Sequence, residues 1–152
     1  MSRYDGAMNK VAIAIGVGLL STGCAPEAED PQVPPPDVRE VLSEGGAYQV
    51  AYTPVPDPIP PVDLFALEFL VVDASTGLWQ QDIEVVGLEV GMPEHNHGMN
   101  VEPLLTDLGE GLWEASPLKF HMTGVWTLLL DIDSGDGIDQ AQFEVVCCES
   151  PG

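Results

Sequence analysis

The chain has 152 residues and a formal charge of −21, with only four Lys and Arg against 25 Asp and Glu. Its 45% hydrophobic content is enough for a packed core, and its length suits one domain with tails. Nucleic acid is excluded as a partner because phosphate binding needs a basic footprint, and anionic lipid head groups would be repelled.

Arg3 and Lys10 flank a short polar region that leads into the apolar run Val11 to Leu20. Ten helical residues span about 15 Å, half of a bilayer's hydrocarbon, so residues 1–23 are expected to be a signal peptide and not a membrane span. The run ends Leu20-Ser21-Thr22-Gly23-Cys24, which resembles the lipobox of bacterial lipoproteins, although Ser21 stands where Leu is commoner. The resemblance implies a lipid on Cys24. Ala25 after it implies the periplasmic face of the outer membrane. An ordinary secretory peptide with a chance cysteine is the plainer alternative. Cleavage would leave two cations against 24 acids, so attachment to a membrane would rest on lipid and not on charge.

Residues 24–45 read as a tether. Five prolines and six acids in 25–45 favour an extended, solvated chain.

From residue 46 to 148 short runs of Val, Leu, Tyr, Phe and Trp alternate with Gly, Pro and Asp clusters. Seven strands are expected, near 46–53, 62–72, 82–92, 100–106, 111–121, 124–133 and 138–147. In the third, Val86, Leu88, Val90 and Met92 share a face. The sixth turns Trp126, Leu128, Leu130 and Ile132 one way, and the seventh turns Ala141, Phe143, Val145 and Cys147 inward. The pattern predicts an all-β fold: one immunoglobulin-like antiparallel β-sandwich of about seven strands, with a small closed barrel as the rival.

Antiparallel alternation places the ends of the third, fifth and seventh strands on one rim. Those segments carry all three histidines, His95, His97 and His121, and every methionine past the signal peptide, Met92, Met99 and Met122. Imidazole with thioether suits copper, and 24 carboxylates would concentrate cations around it. A plainer reading stands beside this one: Met92 and Met122 pack in the core, and the histidines are ordinary loop residues. Cys147 and Cys148 reach the same end. They could form a vicinal disulfide, or divide into a packed Cys147 and a Cys148 free to bridge another chain, or lend a thiolate to a metal. No CxxC or zinc-type spacing is present.

The segments VDLFALEFLVVDASTG (62–77), GMPEHNHGM (91–99) and GEGLWEASPLKFHMTGVWTLLLDI (109–132) resemble the YtkA-like and FixH-like domains. These are small extracytoplasmic β-sandwiches, some associated with copper handling or respiratory oxidase assembly. The resemblance covers about half of the chain and marks Met92, His95, His97, His121 and Met122 as the family-like positions. Asn96 replaces the usual Gly, Thr123 the usual Pro and Val125 the usual Arg.

DIDSGDGID (131–139) has calcium-loop acids but lacks EF-hand spacing, so a turn accounts for it better. PVPDPIPP (54–61) reads as a stiff connection. There is no GxSxG, HExxH or P-loop, and an enzyme is not expected. The sequence therefore favours a lipoprotein whose rim binds or delivers copper, with the membrane and a metal acceptor as partners. The alternative is a protein-interaction or structural module of the cell envelope that binds no metal.

Overall fold

The computed structural model describes residues 38–148. The signal-peptide and lipidation expectations, with most of the tether, lie outside the described residues. Among the described residues the fold is a β-sandwich of nine strands, and every pairing is antiparallel.

In chain order the strands are β1 (Glu40–Leu42), β2 (Tyr48–Val55), β3 (Phe65–Asp73), β4 (Glu84–Met92), β5 (His97–Gly98), β6 (Leu104–Gly109), β7 (Leu112–Leu118), β8 (Gly124–Asp133) and β9 (Ile138–Cys147). One sheet has the order β1-β2-β3-β7-β6 and the other β5-β4-β8-β9. The two sheets remain separate, which sets the closed barrel aside.

The alternation expected for β8 and β9 is present. Trp126, Leu128, Leu130 and Ile132 are fully buried, as are Ala141, Phe143 and Val145, with Cys147 at 3% exposure. Facing them from the other sheet are Val50, Tyr52, Leu67, Phe69 and Val71. Tyr52 meets Phe143 edge-on at 5.1 Å, and Phe65 meets Phe120 at 4.9 Å. Contacts of this kind add about 0.5–1.5 kcal/mol each beyond area burial.

Three expectations are corrected. Val86 does not share the inward face of β4: it is 46% exposed, while Val85 is buried. The register passes from Val85↔Ile132 to Gly87↔Asp131, so Val86 is the extra residue of a bulge and reverses the parity. Gly87 allows this closeness, since a Cβ there would lie 2.8 Å from Asp131 Oδ2.

The second correction concerns the end of the tether. Glu40–Leu42 is strand β1, paired with β2 through Val41↔Val50. The following turn is tied across to the other sheet: Ser43 Oγ donates to Asp139 Oδ2 at 2.6 Å, and Gly45 N–H donates to Asp139 Oδ1 at 2.7 Å. Glu44 N–H donates to the Gln140 carbonyl at 2.7 Å. Partial burial alone would raise the Asp139 pKa, but the hydrogen bonds from Ser43, Gly45, Gln140 and Ala47 hold it below the ordinary value. The domain therefore begins several residues earlier than the composition suggests.

The third correction is Met122. Leu118 and Phe120 are buried as the alternation requires, but β7 ends at Leu118, and the turn that follows leaves Met122 36% exposed.

Candidate metal-binding rim

The sandwich has two ends, and the histidines lie at one of them. After β4, a single 3-10 turn (Pro93–His95) reverses the chain into β5, which pairs back on β4 with Met92↔His97 and Gly91↔Gly98. Asn96 makes the reversal with φ +52, and its N–H donates to the Pro93 carbonyl at 3.3 Å. Asn is the residue after glycine that enters this left-handed region at least cost. Direct register partners leave the same face of a ribbon, which puts the His97 imidazole on Met92's side.

The connection from β7 to β8 supplies His121. Phe120 anchors that loop: it stacks on Trp126 at 4.5 Å with an interplanar angle of 5°. Trp126 in turn donates its indole Nε1–H to the Met122 carbonyl at 3.1 Å. The His121 ring is thereby held edge-on to Trp126 at 5.4 Å and stands 6.4 Å from His97. His95 stacks on His97 at 6.3 Å. Three imidazoles from segments 24 residues apart thus form a row of neighbours in which His97 adjoins both others.

Burial divides the row. His95 and His97 are exposed, whereas His121 is half-buried and its Nδ1 is buried without a hydrogen-bond partner. A buried, unpaired polar atom costs about 1–3 kcal/mol, so it requires an explanation. The methionines differ as well. Met92 is 2% exposed with its methyl directed at Gly124, where a Cβ would lie 2.8 Å away. Met99 packs half-buried against the core, and Met122 lies at the surface. A shallow pocket of about 280 Å³ lies beside the row and includes Glu89, Met92, Asn96 and His97 in its lining.

Among the described residues, no group of three or more His, Cys, Asp or Glu side chains is disposed to hold a metal ion. The spacing of the rings gives the reason. Imidazoles bound to one tetrahedral ion through nitrogens about 2.0–2.1 Å away have centroids about 5 Å apart. The observed separations exceed that by about 1 Å. The two rings that would have to turn, His95 and His97, are the exposed ones.

Cys147 arrives beside this site, in register with Gly124, and the structure joins it to Cys148 as a vicinal disulfide. Both sulfurs are thereby committed to each other, which is the first of the three arrangements expected for them.

No family model, curated protein or solved structure matches the chain.

Strand parity anticipated that His95, His97 and His121 gather at one end. What the sequence did not reveal is the role of Phe120 and Trp126 in holding His121. Their spacing from it, one residue before and five after, gave no sign that the rings would meet.

Proposed function

We propose that this chain is a lipid-anchored extracytoplasmic protein whose histidine end binds or delivers copper. His95, His97 and His121 would hold the ion, with Met92, Met99 and Met122 as the available thioethers. The observation that carries this reading is the buried, unpartnered Nδ1 of His121 beside the exposed His97. A soft cation would satisfy that nitrogen without desolvating the exposed rings first. The thioether-rich surroundings favour Cu(I) over harder ions, and the acidic surface would concentrate cations nearby. The likeness to YtkA-like and FixH-like domains supports the same reading. Anchoring through Cys24 at the outer membrane belongs to this proposal too.

The test is competition for Cu(I) between the full-length chain, in nonionic detergent, and a chelator of known affinity. Stoichiometric retention that is lost in His95→Ala/His97→Ala, with an unchanged circular dichroism spectrum, is the expected result. Complete loss of copper from the unaltered chain to a weak chelator would overturn it. The reading would then pass to a protein-interaction module using the same end, which Val55, Val62 and Leu64 favour, since all three are exposed there.

A further inference from the structure

The other end of the sandwich carries a second feature that the copper reading leaves unused. Between the β3–β4 connection and the β6–β7 hairpin lies a pocket of about 240 Å³. Its lining includes Trp79 and Trp113 together with the buried Val71 and Ile83. Its polar lining residues include Gln80, Gln81, Asp107 and Glu110.

The pocket is held open by specific contacts. The hairpin Gly109-Glu110-Gly111 has φ of +90, +54 and +80, and the Gly111 carbonyl accepts the Val71 N–H at 2.9 Å. A Cβ on Gly111 would lie 2.6 Å from the Val71 carbonyl oxygen and 2.8 Å from Trp79 Cβ, so a glycine there is what lets Trp79 settle on the hairpin. Asp73 fixes the opposite wall. Its Oδ1 accepts from the backbone and hydroxyls of Ser75 and Thr76, and its Oδ2 accepts the Gln80 amide at 3.0 Å. Asp107 sits directly opposite Trp113 in the ladder, on the same face, and spends one oxygen on the Gly109 N–H at 2.8 Å.

Charge decides what such a pocket would accept. The described residues contain two strong cations. Arg39 is paired with Asp57 on the β2–β3 connection, and Lys119 lies in the β7–β8 connection; both segments belong to the histidine end. The Asp107 and Glu110 residues therefore share the pocket lining with two tryptophans and no basic side chain. Indole faces attract cations and tolerate an apolar shell around them, and carboxylates at the edge complement the charge. An anion would meet repulsion from both carboxylates.

We propose that this pocket binds an organic cation of the methylated-ammonium class, seated against Trp79 and Trp113 with Asp107 and Glu110 supplying the counter-charge. The site is independent of the copper reading and stands or falls without it.

The probes are choline, its neutral carbon isostere 3,3-dimethylbutan-1-ol, and a neutral disaccharide. Each is titrated into the full-length chain in nonionic detergent and followed by tryptophan fluorescence. Trp126 is fully buried at the far end and provides a constant background. Choline is expected to bind saturably, with the isostere about tenfold weaker or worse. Trp79→Ala should lose binding by about tenfold, while Trp79→Phe, which keeps a ring face, should largely retain it. Asp107→Asn preserves the oxygen that accepts the Gly109 N–H and removes only the charge. It should weaken choline two- to fivefold, and lessen the salt dependence, with no change for the isostere. Equal affinity for choline and the isostere, tighter binding of the disaccharide, or no saturable response to choline at tens of millimolar would each overturn the proposal.

Discussion

Gly124 opens β8 beneath the rim with φ +133, a conformation that L side chains rarely adopt, and a Cβ there would lie 2.8 Å from the Met92 methyl. Gly124→Ala therefore carries two separable costs. Holding an alanine at that backbone angle costs about 1–3 kcal/mol. The overlap is about 1 Å inside the optimal carbon–carbon separation, and because Met92 can shift its flexible end, relief should cost about 1 kcal/mol more. Met92→Ala alone removes a buried side chain and should cost about 2–5 kcal/mol. In the double variant the overlap disappears and the backbone cost remains. Gly124→Ala should thus be about 1 kcal/mol cheaper when residue 92 is alanine. Urea unfolding of the four proteins, followed by far-UV circular dichroism and fluorescence with the m-value checked for constancy, gives the cycle directly. Equal costs in the two backgrounds, within about 0.5 kcal/mol, would refute the packing of Met92 on Gly124.

Other consequences are as specific. Ser43 is 3% exposed; its Oγ bonds Asp139 and accepts the Tyr48 N–H at 3.0 Å, so Ser43→Ala should cost about 1–3 kcal/mol in urea unfolding. Gly111→Ala should destabilise far more than Gly109→Ala, because the first meets a carbonyl oxygen at 2.6 Å and the second meets nothing within 4 Å. The same unfolding assay compares the pair. The hydroxyl of Ser75, with the backbone and hydroxyl of Thr76, lowers the Asp73 pKa from 3.8 to about 2, and bonds from Ser43 and its neighbours outweigh desolvation to lower that of Asp139. A depressed folded-state pKa stabilises the fold above the unfolded value and loses that effect on acidification. Stability should therefore fall as pH drops from 3.8 towards about 2, and Asp73→Asn should flatten that slope in a pH series of thermal unfolding.

The particular residues show why some of the fold could be read from sequence and some could not. β8 and β9 are ten-residue strands with period-2 burial from Trp126 and Ala141 onward, and their alternation sufficed to identify them. β4 looked equally regular, but a bulge depends on the partner's register, and nothing in the local pattern marks Val86 as the extra residue. β1 has three residues in an acidic, proline-rich neighbourhood, and it forms because β2 offers an edge and Asp139 anchors the turn that follows. β5 is shorter still and exists only because Asn96 turns the chain back. The gathering of the histidines was legible because it needs only antiparallel connectivity. The tryptophan pocket was not: its indoles are 34 residues apart, and they are brought together by Gly111, whose need for a bare backbone becomes visible only beside Trp79.

Val38 and Arg39 join β1 so that the Arg39 carbonyl accepts the Tyr52 N–H and its guanidinium reaches Asp57, while β9 leaves the ladder at Cys147 opposite Gly124. The described chain therefore enters and exits by the same door, the histidine end. Handles placed where the described residues begin and end would crowd that end and leave the tryptophan pocket clear, one strand length away, about 33 Å for the ten residues of β8. For immobilisation on a sensor surface this fixes a practical asymmetry: coupling beside Val38 or Cys148 favours small-molecule access at the pocket. The proposed metal binding at the histidines would be better followed on a chain attached through the Ser134–Gly137 turn, which caps the opposite end.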